Sequence, residues 1–426
     1  MKFCKNYPSG LRLVCEQMPS AYSVALGVYV DVGSVREDDS TNGFSHFIEH
    51  LLFKGTKRRT ALQISEEMEN IGATLNAFTA KDCTCYYTRS ISSDLEKCMD
   101  VLSDMYFNAS FPEEEMERER GVVLEEISMS ADNPSDYAGD LIGQATYFEQ
   151  SLGQTILGNP ENIKYCDRHS IIDFKNKYYV PSSTVISVAG ALSFEQVDEL
   201  VQKYFETNFA SESHVLSAEP TSSATSIFLS AFRDVEQSHL ELNWRGVPVF
   251  DKDYYAVSVL SDTLGGGMTS RLVQEIREKR GLAYSVYCGT SSYKNNGSLE
   301  IYVGYNPKNS KLVANLVRDE IQKIVDFGVT QAEVDRSVML TTNSIYMSAE
   351  ANMFFMRING RRILKTGKPF DIDAEISACK SVSVEDVNRV AKTIFAANPA
   401  VAYVGAKTDR DFDAAAKIFG ASAPKA

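Results

Sequence analysis

No stretch of the chain approaches the roughly 18 consecutive apolar residues of a membrane-spanning helix. Basic residues are in deficit: 43 Lys and Arg against 57 Asp and Glu leave a net charge of −14. That balance disfavours nucleic acid and leaves a basic or extended peptide acceptable as a partner. Cysteine is sparse and irregularly spaced, eight in 426 residues, so the disulfide framework of a small secreted domain is excluded. The first ten residues, Met1 to Gly10, have neither a continuous apolar core nor Arg-rich presequence character, and the cytoplasm is the expected compartment. Histidine is scarce too, with five in the whole chain, yet two of the five fall four positions apart.

Those two are the ends of His46-Phe47-Ile48-Glu49-His50. Residues four apart on a helix lie on one face, a turn apart, so both imidazoles can point at one ion. Glu49, between them, is close enough to reach water at that ion. A catalytic zinc centre usually carries three protein ligands and an open position, so one more ligand is needed. Glu126, inside a later helical pattern, can supply it. The pair Glu125-Glu126 also fits a solvated helix face, and the residues alone leave that choice open. Two His, a distant Glu and a free carboxylate together describe a zinc hydrolase.

The order His-x-x-Glu-His inverts the common zincin motif and marks the inverzincins. The chain resembles the pitrilysin/insulinase-type zinc peptidases, in the short form similar to the mitochondrial processing peptidase beta subunit and its bacterial relatives. The resemblance runs through His46 to Thr56, Asn76-Ala77-Phe78-Thr79, Tyr86-Tyr87, Glu119 to Ile127, Leu157 to Ile163 and Leu264 to Leu272. It ends in Arg277-Glu278 and Gly281-Leu282-Ala283-Tyr284. It implies a zinc-dependent endopeptidase holding one Zn²⁺ per chain on His46, His50 and Glu126, with Glu49 as general base. Glu119 would be a supporting carboxylate two turns before Glu126. Arg277 and Tyr284 would reach the bound peptide, Tyr284 as a donor to the oxyanion and Arg277 on a backbone carbonyl. Asn76, Ala77 and Phe78 would lie on a strand edge that pairs with extended substrate. The resemblance further implies a homodimer enclosing unfolded peptide in a closed chamber; the competing reading is a catalytically silent peptide-binding or assembly subunit. One departure is Asp82, where short relatives often carry Glu.

The same grammar of strands and helices recurs on either side of a linker, so the chain reads as two similar halves; the resemblance implies an α+β fold, each half a mostly antiparallel sheet with helices packed on one face. Residues 1–209 form the expected zinc-binding half, 210–225 a linker rich in small and polar residues, and 226–426 a similar half without metal ligands. Laying Gly43–His46 on Gly267–Ser270 puts Ser270, Val273 and Gln274 opposite His46, Glu49 and His50, and laying Ile127 on Ile345 puts Ser337 and Ser344 opposite Glu119 and Glu126. Gly265-Gly266-Gly267 lacks both the Lys-Ser/Thr of a P-loop and the spacing of a dinucleotide fingerprint. Cys83-Thr84-Cys85 reads as structural or incidental, since alternating positions in a strand point to opposite faces.

Overall fold

The computed structural model describes residues 1–209 and 220–424. Most of the expected linker, 210–219, lies outside the described residues; 220–226 has no regular structure. The chain divides into two compact units that are discontinuous in sequence. The first comprises Met1–Ile127, Thr155–Pro220 and Tyr346–Asp371; the second comprises Ser128–Gln154, Thr221–Ile345 and Ile372–Ala426.

The first unit is built on strands β1 (Lys2–Asn6), β2 (Arg12–Gln17), β3 (Ser23–Val30), β4 (Thr74–Thr79), β5 (Thr84–Ile91) and β6 (Thr184–Gly190). They lie in the order β1-β2-β6-β3-β5-β4, antiparallel throughout except for β2 beside β6. Strand β3 shows why both faces are dry. Val24, Leu26, Val28 and Val30 join the core beneath helices α1 (Phe44–Leu52), α2 (Ala61–Glu69) and α3 (Leu95–Asn108). The alternate residue Tyr29 points the other way. Its hydroxyl donates to Arg357 O at 3.4 Å, and Ser187 Oγ on β6 donates to Met356 O at 2.8 Å. The helix Asn352–Thr366 therefore covers the second face.

The second unit carries β7 (Phe228–Phe232), β8 (Ser238–Arg245), β9 (Ala283–Ser292), β10 (Gly297–Tyr305) and β11 (Ala400–Gly405). Their order is β7-β11-β8-β10-β9, with only β7 and β11 parallel. This repeats β2-β6-β3-β5-β4 strand for strand. Helix α4 (Glu113–Asp132) is followed by α5 (Pro134–Thr146), which is capped by Asn133 and started by Pro134. Ala138, Leu141, Ile142 and Ala145 of α5 pack on Ala400, Ala402 and Val404 of β11.

Two similar mostly antiparallel sheets are thus present, each with the helices of its own half on one face. The opposite face of each is covered by one helix drawn from the other half of the sequence, α5 or Asn352–Thr366. A boundary at 209/226 misses this exchange, because a helix with one apolar stripe carries no mark of which sheet it will cover. The repeat also corrects the overlay of Gly43–His46 on Gly267–Ser270. Between β3 and β4 come α1 and α2; between β8 and β9 come the helices Tyr254–Gly265 and Val273–Glu278. The counterpart of α1 is therefore Tyr254–Gly265. Ile127 and Ile345, by contrast, both end a segment of their units.

Candidate metal centre

Helix α1 is amphipathic in the ordinary sense: Phe47, Ile48, Leu51 and Leu52 are each 0% exposed, and such burial stabilises by about 1.5–3 kcal/mol per side chain. The opposite stripe holds His46, Glu49 and His50. The N-terminus of α1 is fixed by groups that no pattern announced. Gly43 precedes it at φ 103°, a backbone conformation that L side chains rarely adopt. Glu37, buried at 3% exposure, accepts from Gly43 N at 2.8 Å, Ser45 N at 2.7 Å and Asn42 Nδ2 at 3.0 Å. Burial raises its carboxyl, and these donors pull it back. The block Leu157-Gly158-Asn159 lies against the same turn, where a Cβ on Gly43 would meet Gly158 Cα at 2.9 Å.

Across from α1, helix α4 presents Glu119 and Glu126. The Oε2 of Glu126 is 3.7 Å from His46 Nε2 and 3.5 Å from His50 Nε2. His46, His50 and Glu126 offer ligand atoms that all lie within 4.8 Å of one another. Tetrahedral zinc with bonds of about 2.0–2.2 Å needs donors spaced by about 3.3–3.6 Å, so the set fits with small adjustment. Burial, aided by the neighbouring His50, pushes His46 down to about 4, which leaves its imidazole in the neutral, ligating form near neutrality. Among the described residues this is the only group of three or more His, Cys, Asp or Glu close enough to share an ion.

Two further contacts order the centre. Glu119 Oε2 meets His50 Nδ1 at 3.0 Å, and Lys54 Nζ lies 2.6 Å from Glu119 Oε1. The carboxylate on Nδ1 fixes the tautomer that leaves Nε2 free for a metal. Glu49 Oε2 accepts from Thr79 Oγ1 at 2.5 Å; burial raises its carboxyl, opposed by that hydrogen bond. Thr79 and Lys54 both stood in the resembling blocks without an assigned role. Lys54 follows His50 by four residues, the one signal that could have singled it out.

Thr79 ends β4, the edge strand of its sheet. Asn76 is exposed and its Oδ1 accepts from Ala77 N at 2.7 Å; Phe78 packs near Tyr87, rings 6.3 Å apart. Asp82, in the β4–β5 turn, pairs with Lys365 and lies 3.5 Å from Arg361, so the departure at this position serves to anchor the covering helix. Arg277 and Tyr284 belong to the second unit. Arg277 lies on the π-helical turn Val273–Glu278 with its guanidinium 5.2 Å from the ring of Tyr284, which is 78% exposed on β9. Cys83 and Cys85 are buried free thiols, burial pushing Cys83 up to about 12.

Three side chains from two facing helices, close enough to share an ion, with a carboxylate beside them near an edge strand, fit the donor arrangement of a zinc hydrolase. Residues 12–160 match the family described as insulinase (peptidase family M16), and residues 165–340 match the peptidase M16 inactive domain. A Bacillus subtilis relative named uncharacterized zinc protease YmxG is 36% identical over 401 residues, covering 94% of this chain and 97% of its own. A Streptomyces coelicolor relative, also named an uncharacterized zinc protease, is 36% identical over 95% of this chain and 89% of its own. A protease structure from Helicobacter pylori superposes with TM-score 0.88 at 21% identity over 95% of this chain and 99% of that one. The chain belongs to the insulinase family, peptidase family M16, in its short form.

Proposed function

We propose that this chain is an active zinc endopeptidase acting on unfolded polypeptide, with His46, His50 and Glu126 as metal ligands. The observation that carries the reading is the meeting of those three ligands with Glu49 beside the edge strand β4. The names of its relatives agree. A zinc ion held there supplies Lewis acidity and lowers the pKa of bound water to about 7.

The protein's own groups do the rest. Glu49 takes a proton from the attacking water and returns it to the departing amine, work favoured by the raised carboxyl that burial gives it. Glu119 orients His50, with Lys54 holding Glu119. An extended peptide adds to β4 by main-chain pairing at Asn76, Ala77 and Phe78, which tolerates varied side chains. The assignment of Arg277 and Tyr284 to peptide binding is supported by the sequence pattern Arg-Glu-x-x-Gly-Leu-Ala-Tyr. A homodimer with an enclosed chamber is part of the proposal, since each chain has its own complete ligand set. So is a cytoplasmic setting: all eight cysteines are free, as in reducing compartments.

The test is cleavage of a long unstructured peptide by the purified chain, with chelator and then zinc added back. Loss and restoration of cleavage is the expected outcome. A folded, zinc-loaded chain that leaves the peptide intact would overturn the reading.

A further inference from the structure

In the second unit a cavity of about 320 Å³ stands where the duplication places the counterpart of the metal centre. Ser337 and Ser344 face it from the helix Gln331–Ser348, at the spacing of Glu119 and Glu126. Asp262, on the helix matching α1, takes the place of His50: its Oδ2 accepts from Ser337 Oγ at 2.6 Å, as His50 meets Glu119.

The lining has an uneven charge. Burial raises the Asp262 carboxyl, opposed by the Ser337 hydrogen bond, and among the described residues no cation pairs with it. Gly266 leaves it open, since a Cβ there would lie 2.6 Å from Asp262 Oδ1. Thr263, only 5% exposed, also lines the cavity, and its Oγ1 has no hydrogen-bond partner among the described residues. Glu333 is already matched by Arg271 at 2.7 Å. Arg336 is exposed at the lining, its guanidinium donating to Thr269 Oγ1 at 3.3 Å.

One unmatched carboxylate among neutral hydroxyls is a poor cage for a divalent cation, which takes several charged oxygens. It suits a primary ammonium, whose N–H donors would meet the oxygens of Asp262 and Ser337. The volume is about ten times the ~30 Å³ share of a water molecule, room for a ligand of several heavy atoms. Leu340 and Ile345 supply apolar lining, and Arg336 a partner for a carboxylate. We propose that this cavity binds a free α-amino acid with an apolar side chain, its ammonium on Asp262 and its carboxylate on Arg336.

The proposal stands apart from the peptidase reading and is tested without cleavage. Isothermal titration calorimetry of the full chain with L-leucine is expected to show binding. N-acetyl-L-leucine, which has no ammonium, is expected to give none, and 3-methylbutylamine, which has no carboxylate, to bind more weakly. Asp262→Asn should weaken leucine binding about tenfold or more, the usual worth of a charged hydrogen bond. Arg336→Ala, at an exposed residue, should remove the preference for leucine over the amine. Should Asp262→Asn fail to fold, Ser337→Ala serves in its place, with weakened binding expected. No binding of leucine to the folded wild-type chain, or equal binding of the acetylated form, would overturn the proposal.

Discussion

Glu49 and Glu119 flank the same imidazole pair, but their surroundings give them separable roles. Glu49 touches Thr79 and no ligand, so Glu49→Gln should lower kcat by about 10²–10⁴-fold while the zinc content measured by atomic absorption stays at one per chain. Glu119→Gln loses a charged partner of His50 and should weaken zinc about 10–100-fold, read by competition with a chromogenic chelator. Unchanged affinity in that variant would remove Glu119 from the centre. His46, His50 and Glu49 were legible in the sequence because helical spacing alone brings them together. Glu126 was legible only through the resemblance, since on spacing alone a Glu pair on a helix looks the same whether it faces solvent or a metal. Glu37 and Lys54 were hidden for a different reason. Their partners, the Gly43 and Ser45 amides and Glu119, are apparent only once the turn and the facing helix are in place.

Among the elements, the helix Asn352–Thr366 most separates what pattern can say from what folding decides. Its Met356 is 0% exposed and sits against Tyr29, 3.7 Å from the hydroxyl to Sδ. Met356→Ala should cost about 2–5 kcal/mol, visible as a lower urea midpoint; a change under about 0.5 kcal/mol, as at surface sites, would mean the helix is not integral to the sheet. The helix Gln331–Ser348 gives a pH prediction. Thr330 and Glu333 cap its start reciprocally, Thr330 N donating to Glu333 Oε2 at 2.7 Å and Glu333 N to Thr330 Oγ1 at 3.3 Å. Burial pushes the Glu333 carboxyl up, but Arg271 and the Thr330 donors outweigh it and hold it down to about 2. A depressed carboxyl contributes stability above its unfolded value of about 4.3 that is lost as pH falls through the folded one. Discounted for its half-open setting, the loss is on the order of 1–2 kcal/mol between about pH 5 and 2. Glu333→Gln should flatten that part of the pH–stability curve, measured by denaturant titration at each pH.

For the whole molecule, the duplicated strand order was readable in outline, because both halves show strand, helix and hairpin signals in the same sequence. The exchange of α5 and Asn352–Thr366 was not. The near-continuous apolar run from Val24 to Val30 fits a strand covered on both faces, without telling which helix covers the second. A fragment of residues 1–209 lacks that helix and leaves the side of the sheet around Tyr29 and Ser187 open. Such a fragment should bind an apolar dye and self-associate in sedimentation, whereas the full chain should not. A monomeric fragment that unfolds cooperatively would refute the exchange as a requirement for folding.

The same exchange sets a clock on synthesis. The last strand of the first sheet ends at Gly190 and its covering helix ends at Thr366. At about 5–20 residues per second, a ribosome takes on the order of 10–35 s to cover that interval. Through that time the segment bearing His46, His50 and Glu126 is already out while its sheet waits for a lid, so a nascent peptidase stays unfinished until most of its own chain has been made.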